Sequence, residues 1–155
     1  MLTFDDVRLV LGSFRLAADW TAEAGDRIAV IGPSGSGKST LLLAVAGFVT
    51  PASGRILWQG RDLAPLDPGA RPVSILFQDN NLFPHLAVAQ NLGLGLSPGL
   101  RLTDAQRARC DWALARVGLA GRGGDRPGGL SGGEQGRVAL ARALLRARPI
   151  LLLDE

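Results

Sequence analysis

Gly32-Pro33-Ser34-Gly35-Ser36-Gly37-Lys38-Ser39 fits the pattern G-x-x-x-x-G-K-[ST], and these residue types suit the handling of a polyphosphate. Glycines have no Cβ, so successive backbone N–H groups can turn inward around phosphate oxygens. A helix beginning at Lys38 adds the positive end of its dipole. The Lys38 ammonium can then reach the β- and γ-phosphates as a point charge, and the Ser39 hydroxyl can ligate Mg²⁺. The plainer alternative is a glycine-rich turn with a solvated lysine.

Two further sets of residues could join this chemistry. Asp154 and Glu155 follow the apolar run Ile150-Leu151-Leu152-Leu153. An Asp at the carboxyl end of a central strand lies beside a phosphate loop, where it can hold Mg²⁺, and a neighbouring Glu can polarise an attacking water. In Leu130-Ser131-Gly132-Gly133-Glu134, Ser131 and Glu134 form a capping box that by itself explains a helix start. The two glycines inside that first turn cost helix stability. They make sense if an anion must approach the bare backbone.

These residues need elements to position them. Residues 2–11 and 14–22 predict short, partly alternating strands, with Phe14 and Trp20 as strand core. Arg27-Ile28-Ala29-Val30-Ile31 predicts a buried strand ahead of the glycine-rich turn. Leu41, Leu42, Val45 and Ala46 recur at helical spacing, and Gly47 is placed to close that helix. Residues 54–63 predict a short strand, and 72–77 a second buried one with Pro only at its first position. Thr103-Asp104-Ala105-Gln106 opens a helix with Cys110, Ala113, Leu114 and Val117 on its inner side and Gly118 at its exit. A last helix, about 132–147, leads through Pro149 into a buried strand at 150–154. The order implies an α/β core carrying a helical insertion.

Composition narrows the class. The chain has 155 residues, 46% apolar and 20% charged, which is globular rather than disordered. Its net charge of +3 is spread along the chain, so no nucleic-acid footprint arises from charge alone. A single cysteine excludes an internal disulfide framework, and one His with one Cys supplies no zinc ligand set. No apolar run approaches the roughly 18 residues of a membrane-spanning helix. Asp5 and Asp6 argue against a signal peptide. Lys38 is the only lysine among seventeen cations.

Taken in order, the phosphate loop, Gln78, Leu-Ser-Gly-Gly-Glu at 130–134 and Ile-Leu-Leu-Leu-Asp-Glu at 150–155 closely resemble the ATP-binding cassette (ABC) ATPases over the whole chain. The resemblance implies an α/β phosphate-loop NTPase core with an N-terminal antiparallel β part and an inserted helical subdomain, incomplete at the C-terminus. It divides 1–155, a single partial ABC ATPase domain, into a β-subdomain and phosphate-loop core (1–80), a helical subdomain (81–130), and the signature helix with the second acidic strand (131–155).

The same resemblance implies ATP and Mg²⁺ as cofactors. Gly32, Pro33, Ser34, Gly35, Ser36, Gly37, Lys38, Ser39 and Thr40 would bind the phosphates, and Ser131, Gly132 and Gly133 the nucleotide of a second copy placed head to tail. Ser39, Gln78 and Asp154 would serve the metal, with Lys38, Gln78 and Glu155 catalytic and Glu155 the base. A chain lacking the family's switch histidine is expected to bind ATP rather than hydrolyse it.

Residues 71–86 and 89–100 resemble the ATPase subunits of bacterial thiamine importers. This implies a peripheral protein on the cytoplasmic face of the inner membrane, energising uptake of thiamine or its phosphates. Its partners would be a permease docking near Leu82, Phe83 and Leu86 and, indirectly, a periplasmic solute-binding protein, with no nucleic acid. Packing of those three side chains within the insertion is the competing expectation. Another small-solute importer, or a soluble ABC ATPase of DNA repair or translation, is the alternative function. The family's adenine-stacking aromatic is missing at Leu11, with Phe14 nearby as a substitute. His85 is expected to be structural or interfacial, and Cys110 core.

Overall fold

Leu2, Phe4, Val7 and Leu9 are buried in the first strand, a spacing of two interrupted once by three. The structure, a computed structural model describing residues 1–154, resolves that irregularity as a bulge. β1 (Leu2–Leu11) pairs antiparallel with β2 (Phe14–Ala22), and the register shifts between Phe4 and Val7, where Asp6 takes a φ of 44°. One extra residue in the strand returns Val7 and Leu9 to the buried face. β3 (Ser53–Trp58) pairs with the other edge of β1, and its Gly54 faces the bulge, where any Cβ would overlap the Asp6 carbonyl. The single strand expected over 54–63 is instead a hairpin. Gln59 and Gly60, with φ of 50° and 78°, turn the chain into β4 (Arg61–Asp62), giving the order β2-β1-β3-β4. Trp20 stacks on Phe4 with centroids 4.6 Å apart.

The helix α1 (Lys38–Ala46) begins where the glycine loop ends, and Gly47, at a φ of 94°, closes it by donating its N–H to Leu43 and Ala44 carbonyls. The buried strand expected at Arg27–Ile31 is not formed. Its backbone joins no ladder among the described residues, and Ile31 is 92% exposed. Apolar composition supplies a tendency to be covered, but a strand also needs a neighbour for its N–H and C=O groups.

The chain divides into two compact units, one spanning Met1–Val73 and the other beginning at Ser74. β5 (Val73–Leu76), in the second unit from Ser74 on, and β6 (Ile150–Leu153) form a two-stranded sheet, and the Asp154 N–H donates to the Leu76 carbonyl at 2.9 Å. Contrary to expectation β6 is not buried: Leu151 and Leu153 are 40% and 50% exposed, because β5 is its only sheet neighbour among the described residues. Three helices build the remainder, α2 (Val88–Gly93), α3 (Asp104–Arg116) and α4 (Gly132–Leu145). Val88, Leu92, Cys110, Leu114, Val138 and Leu145 meet in their common core. Thr103 and Gln106 cap α3 reciprocally, as the Thr-x-x-Gln pattern predicts. No helix among the described residues is long and apolar enough to cross a membrane.

Candidate functional site

The glycine loop is held by its own lysine. The Lys38 Nζ donates to the carbonyls of Gly32 at 3.0 Å and Pro33 at 2.9 Å, and the Ser36 N–H donates to the Pro33 carbonyl. Gly35 and Gly37 take φ of 78° and 93°, a left-handed region that a side chain rarely adopts. No side chain caps α1 at Gly37. The first turn of that helix therefore presents its N–H end, with the positive end of the dipole, to the loop.

A cleft of about 410 Å³ opens here, lined by Gly35, Gly37, Lys38, Ser39 and Thr40 and by Leu11 and Phe14. The Phe14 ring, expected in the strand core, instead lies over Gly37, where any Cβ would overlap it. One wall is thus aromatic and aliphatic, and the floor is backbone N–H, ammonium and hydroxyl. That donor set fits the polyphosphate of a nucleotide, and the apolar wall fits its base.

The opposite end of α1 is anchored by Arg71, a residue that motif reasoning passed over. Its side chain is only 6% exposed; Nη1 donates to the carbonyls of Ala44 and Val45, both at 2.9 Å, and Nε to Leu66 at 3.1 Å. Burial pulls its pKa down and Asp62 partly offsets this. A cation on the last carbonyls of a helix complements its dipole. The partner carbonyls lie 26 and 27 residues away in sequence, beyond any local pattern.

In the second unit the expected site residues fall at element ends. Gln78 stands in an exposed turn two residues past β5, and Asp154 follows β6 directly, so both lie at the same end of the two-stranded sheet. Glu155 lies outside the described residues. Ser131 caps α4: its Oγ accepts from the Glu134 N–H at 3.3 Å and donates to Glu134 Oε2 at 2.9 Å, while the Ser131 N–H donates to the same oxygen at 2.8 Å. Those bonds, followed by Arg122 Nη1 at 3.2 Å, hold the Glu134 carboxyl below the usual carboxylate range. Around Gly132 and Gly133 nothing would meet a Cβ within 4 Å, so that backbone stands open.

Of the three expected docking side chains only Phe83 is exposed, at 46%, with His85 edge-on to it. Leu82 packs against the helical core and Leu86 is half-buried. The insertion's own core takes Leu82.

The ABC transporter family model matches residues 17–155. The thiamine import ATP-binding protein ThiQ of Cereibacter sphaeroides is 70% identical over all 155 residues, which span 67% of its length. A dimeric post-hydrolysis ATP-binding cassette, MJ0796 bound to ADP and Pi, superposes with a TM-score of 0.85 at 29% identity, covering 100% of this chain and 74% of that one. CbiO1 of Clostridium perfringens, part of the cbiONQ transporter complex, gives 0.83 at 29% identity over 99% of this chain and 64% of its own.

Proposed function

The chain belongs to the ABC transporter family, and on that premise we propose that it is the ATP-binding and ATP-hydrolysing subunit of a bacterial thiamine importer. One observation carries the ATP part: the glycine loop, with Lys38 inside it, opens a nucleotide-sized cleft at the uncapped start of α1. The solute is carried by the 70% identity to a thiamine import protein along the whole chain.

In this reading Lys38 leaves the carbonyls of Gly32 and Pro33 to neutralise the β- and γ-phosphates, and residues 32–40 bind the phosphates. Ser39 would ligate Mg²⁺, and Gln78 and Asp154, at one end of the two-stranded sheet, are the second unit's candidates to serve it; when bound, the ion would supply charge neutralisation at the transferring phosphoryl group. Glu155 takes a proton from the attacking water. Ser131 to Gly133, at the start of α4, meet the γ-phosphate held by a second copy, so two chains pair head to tail. The segment near Leu82, Phe83 and Leu86 receives the permease, Phe83 offering the contact. The protein is peripheral at the cytoplasmic face of the inner membrane, with a periplasmic binding protein delivering solute.

The test is ATP-driven uptake by the complete protein reconstituted with its permease and solute-binding protein. Uptake of labelled thiamine that requires ATP and is lost in Lys38→Ala is expected. ATP hydrolysis stimulated by a different solute, with none for thiamine, would remove the thiamine assignment.

A further inference from the structure

Two consecutive residues just past Gln78 sit in the left-handed region, Asn80 and Asn81, with φ of 57° and 44°. Asparagine tolerates that conformation better than most residues, but two in succession need outside support. The support comes from α4. Arg142 Nη2 donates to the Asn80 carbonyl at 3.0 Å and Nη1 to the Asn81 carbonyl at 2.9 Å. The contact is bidentate: two N–H donors of one planar guanidinium hold consecutive carbonyls, and the Arg142 side chain is half-buried.

The stem of Arg142 is also confined. A Cβ on Gly95 would lie 2.7 Å from the Arg142 carbonyl oxygen and 3.5 Å from its Cγ, so only glycine lets that backbone pack there. At the other end of the same segment Asn91 is fully buried. It accepts from the Phe83 N–H at 2.8 Å and donates to the carbonyls of Phe83, Leu86 and Ala87 at 3.1 to 3.2 Å. The stretch from Asn80 to Ala87 is thus gripped at both ends.

Arg142 stands eleven residues along the helix that Ser131 caps, a lever of about 16 Å at 1.5 Å per residue. We infer that Arg142 is a positioning residue that ties the start of α4 to the segment after Gln78, so that a nucleotide-driven displacement of α4 reaches residues 80–87 as one rigid step. A loop without the fork would absorb the motion by changing its own dihedral angles. A guanidinium bridging two carbonyls passes it on. The inference rests on the proposed closure of Ser131 to Gly133 over nucleotide, and extends it to the only exposed side chain of the docking trio.

Amide hydrogen exchange on the complete protein carrying Glu155→Gln, with and without MgATP, separates the possibilities. In this background MgATP is expected to protect both Lys38 to Leu41 and residues 81–87, the latter by about tenfold, the scale of a coupling between sites. Adding Arg142→Lys, which keeps charge and stem but not the two-pronged geometry, or Arg142→Met, should abolish the nucleotide-dependent protection at 81–87 and retain it at Lys38 to Leu41. Undiminished protection of 81–87 in both variants overturns the inference. So does loss of α4 protection without nucleotide in both, which would make Arg142 merely structural. No MgATP effect at Lys38 to Leu41 in the parent background would instead remove the nucleotide reading, and this inference with it.

Discussion

Lys38 is bonded to two loop carbonyls, and that contact sets what replacement does. Removing the ammonium loses both the prop that shapes the loop and the charge that meets the phosphates. Lys38→Ala is expected to weaken ATP binding about a hundredfold, the scale of one strong charge-assisted contact, as read by titration with a fluorescent ATP analogue. Lys38→Arg should not rescue it, since a planar fork does not fit a pocket formed around a point charge. The choice of lysine at one position in a chain that otherwise uses arginine is therefore chemical. Phe14 offers the apolar wall where Leu11 cannot stack. Phe14→Ala should weaken binding of the same analogue by up to about tenfold, the worth of an aromatic contact, while Phe14→Tyr keeps it. Equal affinity for all three proteins would place the base elsewhere.

Among the elements, those whose ends carry local chemistry were legible from sequence. Thr103 and Gln106, Ser131 and Glu134, and Gly47 each announce a helix boundary within four residues: α3 and α4 begin, and α1 ends, where these residues indicate. What sequence could not show is held by distant partners. Arg27–Ile31 has the composition of a buried strand, but pairing needs a neighbouring strand, and among the described residues none pairs with it. Arg71 and Arg142 fix a helix end and a loop through backbone carbonyls, which carry no side-chain signature.

Arg71→Met should lower unfolding stability by about 2–4 kcal/mol, because buried carbonyls lose a charged donor, measurable by denaturant titration. The α4 cap adds a pH dependence. Glu134 is held below its ordinary range mainly by the Ser131 N–H and hydroxyl, so its contribution is complete above the unfolded value and fades as pH falls through the lower folded one. Thermal stability below about pH 4 should therefore vary less in Glu134→Gln than in the parent. Parallel curves would show that the cap does not depend on that charge.

At the scale of the whole molecule, the phosphate loop and Ser131 belong to different compact units of one chain. Their proposed partnership is between two chains rather than within one. If each nucleotide lies between Lys38 of one copy and Ser131 of the other, Lys38→Ala and Ser131→Arg each disable both sites of a homodimer. Mixing the two proteins then has a distinctive consequence. In the mixed dimer one site combines both defects, and the other combines intact Lys38 with intact Ser131. Random exchange makes half the dimers mixed with one sound site of two, so about a quarter of wild-type hydrolysis should return. A site formed within one chain predicts no recovery, because every copy then carries its own lesion. Hydrolysis by the complete protein before and after subunit exchange at equimolar ratio decides between them, and recovery that rises with the mixed fraction assigns α4 of each copy to its partner's nucleotide.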